Sequence, residues 1–115
     1  MGRGLLMGTR ALAKVYDESD KVLVTIYRHM DGYPEGFGAE LEDFSSTFKL
    51  VNGLSSCQEG NIANGMGCFA ASLIKELKEG PGSIYIVPPE GGMWEEYVYH
   101  IKPNGERISI SVEET

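Results

Sequence analysis

The apolar residues of this 115-residue chain change their spacing twice: every second position, then every third or fourth, then every second again. Thr9–Tyr16 (TRALAKVY) and Lys21–His29 (KVLVTIYRH) alternate on either side of the polar Asp17–Asp20, which predicts a β-hairpin. With Glu18 and Ser19 as the turn, Arg10 falls opposite Tyr27 and Lys14 opposite Leu23. One face then carries Ala11, Ala13, Val15, Val22, Val24 and Ile26, and the other Arg10, Lys14, Thr25, Tyr27 and His29. Phe37, Leu41, Phe44 and Phe48 recur at helical spacing and predict a helix over roughly residues 34–48, with Pro34 in its first turn. A second, broader stripe (Ile62, Met66, Phe69, Ala70, Leu73, Ile74, Leu77) predicts another helix, stopped by Gly80-Pro81-Gly82. Asn52–Gly65 reads as a polar connector.

Strand patterns return at Ser83–Val87, Glu95–Ile101 and Glu106–Val112, the last two flanking the hairpin signal Asn104-Gly105. Pairing Ile101 with Ile108 puts Tyr97, Tyr99, Ile101, Ile108, Ile110 and Val112 on one face. The expected fold is α+β: an antiparallel sheet of about five strands in the order ββααβββ, with two helices packed on one face. One domain over residues 1–115 is expected, with residues 1–8 as an arm.

Seventeen acidic against ten basic side chains give a net charge of -7. Duplex binding begins with phosphate neutralisation, so no bulk nucleic acid and no anionic membrane is expected as partner, although a local pocket for a small anion remains open. The Met1–Gly8 segment is too short for a signal sequence and no apolar run approaches about 18 residues, so a cytoplasmic protein is expected. Cys57 and Cys68 make no disulfide framework; both are expected as free thiols, Cys68 buried. Leu12, Leu23 and Val98 are apolar on the polar face, which suggests that a second subunit covers it, as a homodimer or higher homo-oligomer. Trp94, on a glycine-bearing loop, is expected to pack back as an anchor or to meet a partner.

Tyr27-Arg28-His29-Met30-Asp31-Gly32-Tyr33-Pro34-Glu35-Gly36-Phe37-Gly38 runs from a strand end into a helix start. Tyr27, His29 and Asp31 share a side if the strand persists. Bare backbone at Gly32, Gly36 and Gly38, beside free helix N–H groups, suits an anion, and Arg10 adds a guanidinium. A phosphate or nucleotide pocket follows: Arg10 on phosphate, Tyr27 or Tyr33 stacking, His29 and Asp31 on polar edges. His100 and Arg107 lie on the same face and join Arg10 and His29 if the two hairpins are neighbours. An enzyme would use His29 as general acid or base, Asp31 to orient it and Arg10 to hold a phosphoryl group. A metal set of His29, Asp31 and His100 has no recognisable spacing, and no metal or cofactor is expected. Asn61–Gly67 (NIANGMG) is neither a P-loop nor a dinucleotide fingerprint and reads as an irregular helix cap.

The run Thr9-Arg10, followed by Tyr27, His29, Asp31, Gly32, Tyr33, Pro34 and Gly38, resembles a family of small proteins found in bacteriophages and in prokaryotes carrying mobile elements. Their N-terminal third reads Ser/Thr-Arg, a hairpin, then Tyr-x-His-x-Asp-Gly-Tyr-Pro. The family carries no assigned activity. The resemblance implies a phage-like setting, where small proteins act by binding a host protein or a nucleotide signal of host defence. The expected function is therefore sequestration of a phosphorylated small molecule. A phosphodiesterase using His29 and an acidic module that inhibits a host factor are the alternatives.

Overall fold

The structure, a computed structural model, describes residues 9–53 and 60–115. Strands β1 (Ala11–Tyr16) and β2 (Val22–Arg28) form the first hairpin. A wide π-type turn, Pro34–Gly38, leads into helix α1 (Ala39–Ser45), and strands β3 (Lys49–Val51) and β4 (Ile62–Asn64) precede helix α2 (Gly65–Leu77). Strand β5 (Ile84–Val87) and the hairpin of β6 (Tyr97–Asn104) and β7 (Arg107–Glu114) complete the order.

Five of these strands make one sheet in the order β5-β2-β1-β6-β7, so the fold is α+β with a five-stranded sheet and two helices against it. The sheet is mixed, which corrects the all-antiparallel expectation: β1 and β6 pair in parallel, Ala11 beside Tyr97 and Lys14 beside His100. The physical cause is connectivity. β5 and β6 lie on opposite sides of the first hairpin, so the chain between them crosses the sheet. That crossing covers the outer face, where Val87 and Met93 pack over Leu12, Tyr27 and Val98. Leu12 and Val98 are therefore buried by their own chain, whereas Leu23, the third apolar residue of that face, is 46% exposed. Met93 is the anchor of this connection; Trp94 is 84% exposed.

The other face holds the main core. Ala11, Ala13, Val15, Ile26, Tyr99 and Ile101 meet Phe37 and Leu41 at the first helical segment and Met66, Phe69 and Leu73 of α2. Core side chains of α2 follow the helical period, and Cys68 falls between them on the wet side, exposed rather than buried. Cys57 lies outside the described residues, as does the arm.

Both hairpins pair two residues away from the expected register. In β1–β2, Leu12 faces Tyr27 and Lys14 faces Thr25. The cause is Asp17. Its carboxylate accepts from the N–H groups of Ser19 (2.8 Å) and Lys21 (2.9 Å), building a turn longer than two residues. In β6–β7, Ile101 faces Ile110 because the loop is Gly105-Glu106, with Gly105 at φ 64 as a type II′ turn requires. A slip of two keeps each side chain on its face, so the division of residues between faces holds. The first helical stretch ends at Ser45, not at residue 48, and Ile62 belongs to β4.

Candidate functional site

The ends of β5, β2 and β1 place Ser83, His29 and Arg10 side by side, with Tyr85 and Tyr27 one step inside them on the outer face. The His29 N–H donates to the Ser83 carbonyl at 3.1 Å, which carries the sheet one residue past β2. Arg10 Nε donates to the Tyr27 hydroxyl at 3.0 Å, and that hydroxyl lies 3.0 Å from His29 Nδ1. In the tautomer that carries the His29 proton on Nε2, the Tyr27 oxygen accepts from the guanidinium and gives its own proton to Nδ1. The expected union of Arg10 with His29 across the ribbon is thus present, bridged by Tyr27. The two-residue slip makes the Arg10–Tyr27 contact diagonal instead of direct.

Tyr27 is only 6% exposed, packed against His29 and Tyr85, so its ring offers no face to a ligand. The exposed ring is Tyr85, 50% accessible, 6.0 Å from Tyr27 and with Lys78 Nζ 5.6 Å from its centre. Sequence reasoning missed both Tyr85 and Lys78. The alternation in Ser83–Val87 was the available signal for Tyr85, since it puts Tyr85 and Val87 on one side.

The corner after β2 is built for packing. Asp31 has φ 59 and its carboxylate accepts from the Tyr33 hydroxyl at 3.3 Å. Asp31 holds that hydroxyl above the usual tyrosine range. Asp31 thus serves Tyr33, and His29 Nδ1 serves Tyr27, so the expected His29–Asp31 pair does not form. The helix-start amides are taken as well: Gly36 and Gly38 N–H donate to the Tyr33 carbonyl, and Phe37 N–H to that of Asp31. A Cβ on Gly36 would stand 2.6 Å from the Asp31 carbonyl oxygen, and one on Gly38 would stand 3.0 Å from the Tyr99 ring. These glycines admit neighbouring protein atoms and leave no cradle for an anion. Gly32 fastens the corner to β1 through its N–H on the Thr9 carbonyl, 2.8 Å, and its carbonyl on the Tyr99 hydroxyl, 2.6 Å.

His100 and Arg107 do not join this site. His100 lies beside Lys14, four residues along from the Arg10 end, with Nδ1 2.7 Å from the Tyr16 hydroxyl and Nε2 2.9 Å from Glu113. Arg107 begins β7 at the far end of the sheet and donates to the Phe48 carbonyl at 3.4 Å. The set His29, Asp31 and His100 is accordingly dispersed, and among the described residues no three His, Cys, Asp or Glu side chains are grouped to hold a metal.

Arg28, overlooked in the sequence, turns to the helix side. It bonds Glu40 (2.8 Å) and the Met30 carbonyl (2.8 Å) and lies 5.0 Å from the Phe37 ring centre. It lines a groove of about 840 Å³ with Glu40, Asp43, Glu76 and Glu79, an acid-rich lining unsuited to phosphate. The Asn61–Gly67 segment is structural: Asn61 bonds Thr47, Asn64 bonds the Gly53 N–H, and Glu18 caps α2 through the Met66 N–H at 2.8 Å. No helix among the described residues is long and apolar enough to cross a membrane. Compared with protein-family models, curated proteins and solved structures, the chain matches none.

Proposed function

We propose that the protein binds a phosphorylated small molecule, of the nucleotide class, on the outer face at the ends of β5, β2 and β1. One observation carries this reading: the Tyr27 hydroxyl ties Arg10 and His29 together, and no hydrogen bond among the described residues takes the Arg10 Nη groups or His29 Nε2. Two fixed donors flanking one hydroxyl suit an oxyanion, and Lys78, whose Nζ donates to the Gly82 and Ile84 carbonyls, brings a third positive charge over the Tyr85 ring. Tyr85 supplies the exposed ring on which a base stacks. In a chain of net charge -7, attraction for an anion has to be local, as it is here. In the phage-like setting suggested by the N-terminal motif, sequestering a host signal requires affinity and no turnover.

A thermal-shift screen with linear and cyclic nucleotides, repeated on Arg10→Ala, tests the reading. A ligand present at about 100 times its Kd stabilises the native protein by about 2.7 kcal/mol, and the variant loses that gain. A screen with no stabilising nucleotide, or a gain that Arg10→Ala retains, contradicts the site.

A further inference from the structure

We propose that β7 is the contact by which two copies of this chain join, antiparallel about a two-fold axis through Ile110, into one continuous sheet. This stands apart from the ligand reading.

The two edges of the sheet differ. β5 spans Ile84–Val87 and is closed off by Pro88-Pro89, whereas β7 runs from Arg107 to Glu114 with no shift in register. A long, regular edge without proline is a template for another strand. The pairing of β7 with β6 sets which of its amides are free. A two-residue loop makes Asn104 and Arg107 a hydrogen-bonded pair, so every second residue from Arg107 bonds β6. The Thr115 N–H, which donates to the Glu96 carbonyl at 2.9 Å, keeps the same phase. Ile108, Ile110 and Val112 therefore aim their N–H and C=O groups away from the sheet.

Only registers that set these residues opposite one another can bond. Centring on Ile110 places Ile108 opposite Val112, Ile110 opposite its own copy and Ser109 opposite Ser111, forming about six hydrogen bonds. It also sets Arg107 opposite Glu113 at both ends. Shifting the centre to Ser111 instead places Ile108 opposite Glu114, which opposes an apolar side chain with a charge. The matched register joins the Ile108, Ile110 and Val112 stripe of one copy to that of the other, covering Val112, which is 50% exposed. On the outer face, the partner's Arg107, released from the Phe48 carbonyl it bonds within its own chain, meets the Glu113 carboxylate whose Oε1 already holds His100 Nε2. A second copy thus supplies a cation to the Tyr16–His100–Glu113 row.

Sedimentation of the full chain over the micromolar range, with amide exchange, tests the proposal. The expected result is a particle of twice the chain mass. The Ile108, Ile110 and Val112 amides should be protected when concentrated and exchange on dilution, while Ser109, Ser111 and Glu113 stay protected throughout. Val112→Pro removes an outward N–H without touching β6 and should give a folded monomer. Arg107→Glu should weaken association about tenfold by setting like charges opposite each other twice, and Arg107→Glu with Glu113→Arg should restore it. A monomer at every concentration, a dimer that survives Val112→Pro, or concentration-independent exchange at those three amides overturns it.

Discussion

The outer face carries two tyrosine–histidine pairs, and they differ in what holds the third position. At the β1–β2 strand ends, Tyr27 and His29 join hydroxyl to Nδ1 at 3.0 Å and the third group is the Arg10 guanidinium. Between β1 and β6, Tyr16 and His100 join in the same way at 2.7 Å, but the third group is the Glu113 carboxylate on Nε2. With the guanidinium bonded to the tyrosine hydroxyl, the imidazole's Nε2 has no hydrogen-bond partner among the described residues. A carboxylate on the imidazole occupies that nitrogen. Around the second pair, burial raises the Tyr16 hydroxyl above its usual range, Lys102 opposes the rise, and Asp20 and Glu113 reinforce it, which keeps this hydroxyl a proton donor. One pair therefore keeps a ring nitrogen unpaired among the described residues, and the other is satisfied within the protein.

The first way to break this comparison is to remove the clamp that only the Arg10 end has. A Cβ at Gly32 would stand 2.7 Å from both the Ala11 Cβ and the Thr9 carbonyl oxygen. Gly32→Ala should cost about 3 kcal/mol in denaturant unfolding, the upper end for overpacking, and should detach the His29 corner from β1. An unchanged midpoint would show that this corner does not rest on β1.

The next effect sharpens the contrast in ligand binding. His29→Ala should weaken nucleotide binding by at least about tenfold, the loss of a charge-assisted or strong polar contact, whereas His100→Ala should leave affinity within about twofold. Equal losses in calorimetric titration would mean that the two pairs act as one site.

The buried Tyr99 hydroxyl supports the first pair through the Gly32 carbonyl, and burial, with smaller contributions from Tyr97 and Glu35, pushes it to about 12 against an ordinary 10.0. Its folded value is raised, so the stability it contributes is complete below pH 10 and is lost as pH rises towards 12. Wild type should lose stability faster than Tyr99→Phe across that window, with parallel curves as the contrary result.

The smallest expected effect concerns Thr25, whose buried Oγ1 has no hydrogen-bond partner among the described residues. Thr25→Val should gain about 1 kcal/mol in thermal unfolding by removing an unsatisfied hydroxyl. A loss would point to a partner that the hydroxyl finds in solution.

Which face each strand residue occupies was legible in the sequence because strand side chains alternate with a period of two. Register was not, because a slip of two preserves that alternation, and the turn that decides it depends on the Asp17 carboxylate. β3 and β4 are too short, at three residues each, to show a period, and the layer formed by Met93 comes from a loop without one. Arg10, Tyr27 and His29 were legible as a group. The loss of Asp31, Gly36 and Gly38 to internal bonding was not, because a helix start with free amides and one closed on its own carbonyls read alike in one dimension. Arg28 was within reach: it shares the side of Val24 and Ile26, which faces the helices.

The most direct test follows the imidazole nitrogens of both histidines by NMR during titration with a nucleoside monophosphate. The open-pair account predicts His29 as the Nε2–H form, with resonances that move to saturation, while those of His100 stay in place. Static His29 resonances, or His100 moving in step with them, would contradict it.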